Sequence, residues 1–192
     1  MRYSVVKRVA DVSLAAAAGA VLAPLIVLLV VLIKLDSRGP VIFRQKRAGC
    51  GKSHFDMLKF RSMRADTPKD VPTHLLQDPD VYITRMGRFM RRTSLDELPQ
   101  LYNIIVGDMS IVGPRPALWN QYDLIGLRER YGANNIRPGL TGLAQVMGRD
   151  ELPIKVKARY DIMYYRRMNL VLDAQIILKT FENVISARGL HH

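Results

Sequence analysis

Cysteine is almost missing from this 192-residue chain. Cys50 stands alone, which excludes an internal disulfide and fits a reducing compartment. Histidine is nearly as scarce. Of the four, His191 and His192 close the chain and are assigned no role, while His54 and His74 are too far apart for a typical histidine metal site. Acidic residues are in deficit, 17 against 29 lysines and arginines, which leaves a net charge of +12. Such an excess points to an anionic partner: nucleic acid, a phospholipid surface or a phosphorylated substrate. There are no internal repeats and no low-complexity tracts, and the length suits one domain with a core of its own.

Charge is absent altogether from Val12 to Ile33, a run of 22 residues reading VSLAAAAGAVLAPLIVLLVVLI. A straight helix of that length is about 33 Å long, enough for a hydrocarbon core of about 30 Å. Lysine and aspartate follow it where a cleavable signal peptide would carry small residues. Pro24 stands near its middle, where it bends or breaks a helix. Both flanks are basic: Arg2, Lys7 and Arg8 before it, and Lys34, Arg38, Arg44, Lys46 and Arg47 after it. Since cations beside a membrane segment favour the cytoplasmic side, a segment bent at Pro24 keeps both clusters there, whereas a straight span exports one. The two halves, about 18 and 14 Å long, reach mid-bilayer and return. A re-entrant hairpin is therefore expected.

Further on, GPVIFRQKR reads as a strand, AGCGKS as a glycine turn and HFDMLKFRSM as a second strand. GCGKS is not a P-loop, because position 46 holds lysine where that motif needs glycine. Residues 65–80 read as a surface loop. In VYITRMGRFMRRTS, Ile83, Met86, Phe89 and Met90 share one predicted helical face and the arginines lie largely elsewhere. Such a helix either faces a core or lies on anionic lipid, and 153–168, PIKVKARYDIMYYRRM, admits the same two readings. A last helix is expected from about Leu170 to Arg188, stopping at Gly189.

Between these helices lies SLDELPQL, residues 94–101. Ser94 and Glu97 have the spacing of a capping box, which would make Asp96 and Glu97 structural. Pro99 opposes that reading: it would be the fifth helical residue, so the N-cap is expected at Asp96, Glu97 or Leu98. Both acids then sit at the positive end of a helix with Arg91 and Arg92 just upstream, and both are expected to stay ionised. An ionised carboxylate among cations can attack phosphorus or hold Mg²⁺ against a phosphate. Downstream, GDMSIVGPRPAL and NIRPGLTGLAQVMGR place Arg115, Arg137 and Arg149 next to glycine and proline; each alone reads as a turn with a solvated arginine, and together they look like a site for a diphosphate.

In this order, VVKRVAD, the proline-broken run, GPVIFRQKRAG, MLKFRSM, SLDELPQLYNIIVGDMSIVGPRP, IRPGLTGLAQVMGR and VLDAQIILKT resemble the small monotopic phosphoglycosyl transferases, the bacterial sugar transferases. The resemblance covers about Val5 to Ala187. It implies an α/β, mostly α, catalytic domain with an N-terminal re-entrant membrane helix-break-helix and interfacial amphipathic helices. The implied organisation is an anchor over 1–36, a catalytic domain over 37–188 and a tail over 189–192. The implied reaction moves a phospho-sugar from a UDP-sugar to polyprenyl (undecaprenyl) phosphate and releases UMP. It would run with Mg²⁺ at the cytoplasmic face of the bacterial inner membrane. The resemblance makes Asp96 the nucleophile and Glu97 the Mg²⁺ ligand. It assigns Arg115 to the nucleotide-sugar, and Lys59, Arg91, Arg137, Arg149 and Asp173 to positions around the site. The family's membrane break is usually Ser-Pro; here it is Ala23-Pro24, without a hydroxyl for the freed carbonyls.

Two other readings compete. A non-enzymatic, basic, membrane-anchored module binding lipid phosphate or nucleic acid accounts for the charge and the apolar run, but not for the acidic pair. Direct transfer without a covalent intermediate would make Asp96 only a metal ligand. The expected partners are a UDP-sugar, a polyprenyl phosphate and membrane phospholipid, and not nucleic acid. Sugar specificity is expected in PALWNQYDLIGLRERYGANN, residues 116–135.

Overall fold

A computed structural model describes residues 2–64, 66–67, 78–148 and 152–185. The apolar run is two helices. α1 (Arg2–Val21) and α2 (Ala23–Asp36) meet at Leu22 with a bend of 63°. Pro24 lies in the first turn of α2, where a missing N–H has no helical partner to lose. Among the described residues no single helix is long and apolar enough to cross a membrane; the bent pair together meets that test. Ala15, Leu29 and Ile33 pack inward, while Val21, Val27, Leu28 and Val31 remain exposed.

Both outer ends of this bent pair are fastened to the rest of the chain. Arg8, on α1, donates to the carbonyls of Ile104 (2.6 Å) and Ile105 (2.9 Å). Buried Asp11 accepts from the Ser110 hydroxyl at 2.7 Å. At the end of α2, buried Arg61 donates to the Ser37 carbonyl (2.6 Å) and hydroxyl (2.9 Å), and the Met86 N–H donates to Asp36 (3.1 Å).

The two expected strands are present. β1 (Ile42–Ala48) and β2 (His54–Phe60) pair antiparallel, with Phe43 opposite Lys59. A single turn, α3 (Pro79–Tyr82), then leads to α4 (Arg85–Thr93). Gly87 sets how α4 packs: a Cβ there would come within 1.9 Å of the Ser62 carbonyl oxygen. The helix therefore buries Gly87 and Met90 and leaves Phe89 51% exposed, outside the face expected for it. Ile83 likewise precedes the helix and bridges to Met63. Of the expected loop over 65–80, residues 65 and 68–77 lie outside the described ones.

α5 (Gln100–Val106) runs into β3 (Ser110–Val112), which pairs in parallel with β4 (Gly139–Thr141). α6 (Tyr122–Glu129) lies between them in sequence. α7 (Leu143–Gly148), α8 (Ile154–Arg167) and α9 (Leu170–Ile185) follow, and the described residues are mostly helical with two small sheets. The far end expected for the last helix lies outside the described residues. α8 turns Ala158, Asp161 and Tyr164 inward, so at least one of its faces belongs to the core. Asp161 there accepts both Nε (2.9 Å) and Nη2 (2.7 Å) of Arg128, a buried pair joining α8 to α6.

Among the described residues, four apolar clusters form the core. One joins Ala15, Met57, Ile104 and Met109, so that α1, β2 and α5 pack around one point. A second joins α2 to α4 through Leu29, Ile33, Phe60 and Met90. The remaining two lie under α7, α8 and α9, and between α6 and α8.

Candidate active site

Asp96 and Glu97 do not begin a helix. They occupy a 3₁₀ turn, Leu95–Glu97, with Pro99 as the N-cap of α5. That moves the helix start beyond all three expected positions. The reason is Ser94, whose left-handed backbone (φ 56°) ends α4 and turns the chain sharply; its side chain makes no capping bond, so no capping box forms.

The turn sets both carboxylates against cations delivered by other elements. Lys59, on β2, places its ammonium 2.7 Å from Glu97 Oε1 and 3.8 Å from Asp96 Oδ2. Arg115 reaches the same Glu97 oxygen with Nη2 at 3.3 Å. Arg91, in the last turn of α4, adds its field to Asp96. Four of the expected site residues thus converge on one locus with Asp96. Asn103, on α5, ties that helix to β2: its Nδ2 donates to the Asp56 carbonyl (2.9 Å) and its Oδ1 accepts from the Leu58 N–H (3.0 Å). The side-chain amide thus stands in for a strand neighbour one residue from Lys59.

The two acids differ electrostatically. Burial raises the Glu97 carboxyl, but Lys59 and Arg115 outweigh it and hold the group down at about 2. Asp96 is buried, and that desolvation raises its pKa despite Lys59, Arg91 and Arg115; the charge on Glu97 raises it further. The two acids are therefore unequal: Glu97 is firmly anionic, whereas Asp96 holds its proton more tightly than an ordinary aspartate.

Arg115 is carried by a rigid corner. Ser110 and Gly113 donate from their backbone N–H groups to Pro138 and Thr141, and Gly139 donates to Pro114 (2.9 Å). The two glycine- and arginine-bearing segments seen in the sequence are therefore neighbours. Side chains are excluded between them: a Cβ on Gly139 would lie 2.1 Å from the Gly113 nitrogen.

Not every expected residue joins the pair. Arg137 donates to the Gly107 carbonyl (2.7 Å), at the far end of α5 from Glu97. Asp173 is buried, accepting from Tyr3 (2.9 Å), Lys7 (2.9 Å) and Tyr164 (2.7 Å), and so fastens α1 to α8 and α9. Arg149 lies outside the described residues. Conversely, Asn103 and Asp11 were not singled out by sequence reasoning.

Among the described residues no cluster of three or more His, Cys, Asp or Glu is built to hold a metal. The donor set at this locus is two adjacent carboxylates. That is unlike a zinc site but fits Mg²⁺, which commonly takes one or two carboxylates and completes its shell with water and phosphate oxygens. Both bonds described for Glu97 fall on Oε1, and a carboxylate has a second oxygen with which to face a cation.

The family described as "Bacterial sugar transferase" matches residues 2–187. This chain belongs to the bacterial sugar transferase family. A UDP-glucose:undecaprenyl-phosphate glucose-1-phosphate transferase of Xanthomonas campestris is 42% identical over 97% of this chain and 40% of its own length. A Caulobacter vibrioides protein of the same description is 44% identical over 94% of this chain and 70% of its own. The exopolysaccharide production protein PSS of Rhizobium leguminosarum is 40% identical over 92% of this chain and 93% of its own. The chain thus spans less than half of the Xanthomonas relative but nearly the whole of the Rhizobium one.

Proposed function

We propose that this bacterial sugar transferase moves a phospho-sugar from a UDP-sugar to a polyprenyl phosphate, through a covalent intermediate on Asp96. The observation that carries the reading is the pairing of Asp96 with Glu97 under the shared ammonium of Lys59, with Arg115 closing the locus. A carboxylate with raised pKa is a stronger base than an ordinary one, and burial strips it of water that would blunt its attack. The Asp96 carboxylate attacks the sugar-linked phosphorus, the bond from that phosphorus to the bridging oxygen breaks, and UMP departs. Lys59 and Arg115 lie where negative charge builds on the phosphoryl oxygens and on UMP. An oxygen of the polyprenyl phosphate then attacks the acyl phosphate. The bond to Asp96 breaks, giving polyprenyl diphospho-sugar and the free carboxylate. Glu97, with Asp96 beside it, would hold Mg²⁺, and a bound ion would supply further positive charge to the donor's phosphates.

The re-entrant reading of α1 and α2 belongs to the same proposal. Its support is that Arg8 and Asp11 near one end, and Asp36 and Ser37 at the other, are all fastened to the body that carries Asp96. Both ends of the bent pair then lie on one side of the bilayer, the cytoplasmic side by the charge of their flanks. The exposed valines and leucines of the pair would face lipid. The binding-module reading gives the buried acidic pair and its cations nothing to do.

The test is a UMP-release screen over a UDP-sugar panel with undecaprenyl phosphate in nanodiscs. Mg²⁺-dependent release with at least one donor supports the proposal. Its absence with every donor, or multiple-turnover release that ignores the lipid acceptor, refutes it.

A further inference from the structure

We infer that Arg47 is the positioning residue for Arg115, holding the corner that aims it at the acidic pair. The inference rests on the reading of Arg115 as the ligand of the donor's diphosphate. In the sequence Arg47 is one more cation beside the apolar run. In the fold it sits near the end of β1, and its Nη1 donates to the Pro116 carbonyl at 2.9 Å.

The corner needs such a partner because Arg115 lies between Pro114 and Pro116, neither of which has an N–H to give. Its carbonyls must do the fastening. On one side the Gly139 N–H holds the Pro114 carbonyl at 2.9 Å. On the other, Arg47 holds the carbonyl of Pro116, and the Ala48 N–H holds that of Ala117 at 3.0 Å. Arg47 and Leu118 form an isolated antiparallel bridge, and the Lys46 ammonium lies 5.5 Å from the centre of the Trp119 ring. The last residues of β1 therefore grip 116–119. Arg47 itself is aimed by Gln45, whose Oε1 accepts from Nη2. Its two prongs point in fixed directions, which a single lysine ammonium cannot reproduce in full.

A residue that acts through Arg115 should weaken diphosphate binding only while Arg115 is there to be misplaced. The experiment measures UDP dissociation constants by calorimetry on the full chain in nanodiscs, for the parent, Arg47→Gln, Arg115→Lys and the double variant. Arg47→Gln is expected to weaken UDP roughly tenfold, the effect of one charge-assisted hydrogen bond. Added to Arg115→Lys it should cost less than about twofold more, because the two residues form one unit. Arg47→Lys should recover part of the loss. An unchanged UDP affinity in Arg47→Gln, or losses that multiply in the double variant, overturns the inference. If Arg115→Lys itself leaves UDP binding unchanged, it is the reading of Arg115 that fails instead. Should Arg47→Gln not fold, Gln45→Ala carries the test. It should weaken UDP about threefold in the parent and not in the Arg115→Lys background; no weakening in the parent overturns the inference.

Discussion

Lys59 and Glu97 meet at 2.7 Å although 38 residues separate them in sequence. The contact joins β2 to the 3₁₀ turn, and the same ammonium lies 3.8 Å from Asp96. One cation thus keeps Glu97 ionised and limits how far burial lifts the pKa of its neighbour.

That division has a pH signature. The nucleophile must be unprotonated, and burial makes Asp96 give up its proton at higher pH than usual. The acid limb of kcat/KM should therefore lie above the ordinary aspartate value of about 3.9. Lys59 is the largest influence opposing burial, so Lys59→Met should move the limb to still higher pH. A pH–rate profile of UMP release checks this; a limb that stays or falls contradicts it.

Gly139→Ala should disable the enzyme without touching the acids. Its new Cβ would lie 2.1 Å from the Gly113 nitrogen and 2.3 Å from the Thr141 carbonyl oxygen, both backbone atoms that cannot swing aside. Separating β3 from β4 releases the Pro114 carbonyl and with it the setting of Arg115. The expected outcome is destabilisation of about 1–3 kcal/mol and at least a tenfold rise in donor KM. Denaturation and steady-state kinetics read the two effects.

Breaking the Arg128–Asp161 pair should affect stability alone. Arg128→Met leaves Asp161 buried without the guanidinium that donates twice to its Oδ2 and should cost about 3–5 kcal/mol. The double change Arg128→Met, Asp161→Leu should recover much of that. Chemical denaturation in detergent measures both, and kcat in the folded fraction should be near the parent's.

Much of this could be read from the sequence because its causes are local. The hairpin follows from an apolar-rich strand, a glycine turn and a second strand, and the helix break from a proline in an uncharged run. The acidic pair stood out because Pro99 forbids the ordinary helix start. What stayed hidden depends on partners far along the chain. Ser94's left-handed turn moves the start of α5 to Gln100, and no residue type there announces it. Phe89 faces outward because Gly87 meets Ser62, a contact that helical periodicity cannot contain. The raised pKa of Asp96 comes from burial by the whole fold. Arg47 looked like a membrane-flanking charge because its carbonyl partner lies 69 residues away.

The most direct test is intact-protein mass spectrometry after incubation with Mg²⁺ and the accepted UDP-sugar, with no polyprenyl phosphate present. The account predicts a protein heavier by one phospho-sugar, with the added mass on the peptide containing Asp96. The adduct should vanish on adding undecaprenyl phosphate and be absent from Asp96→Asn. UMP release by Asp96→Asn at the parent's rate, or an adduct on any other residue, would contradict it.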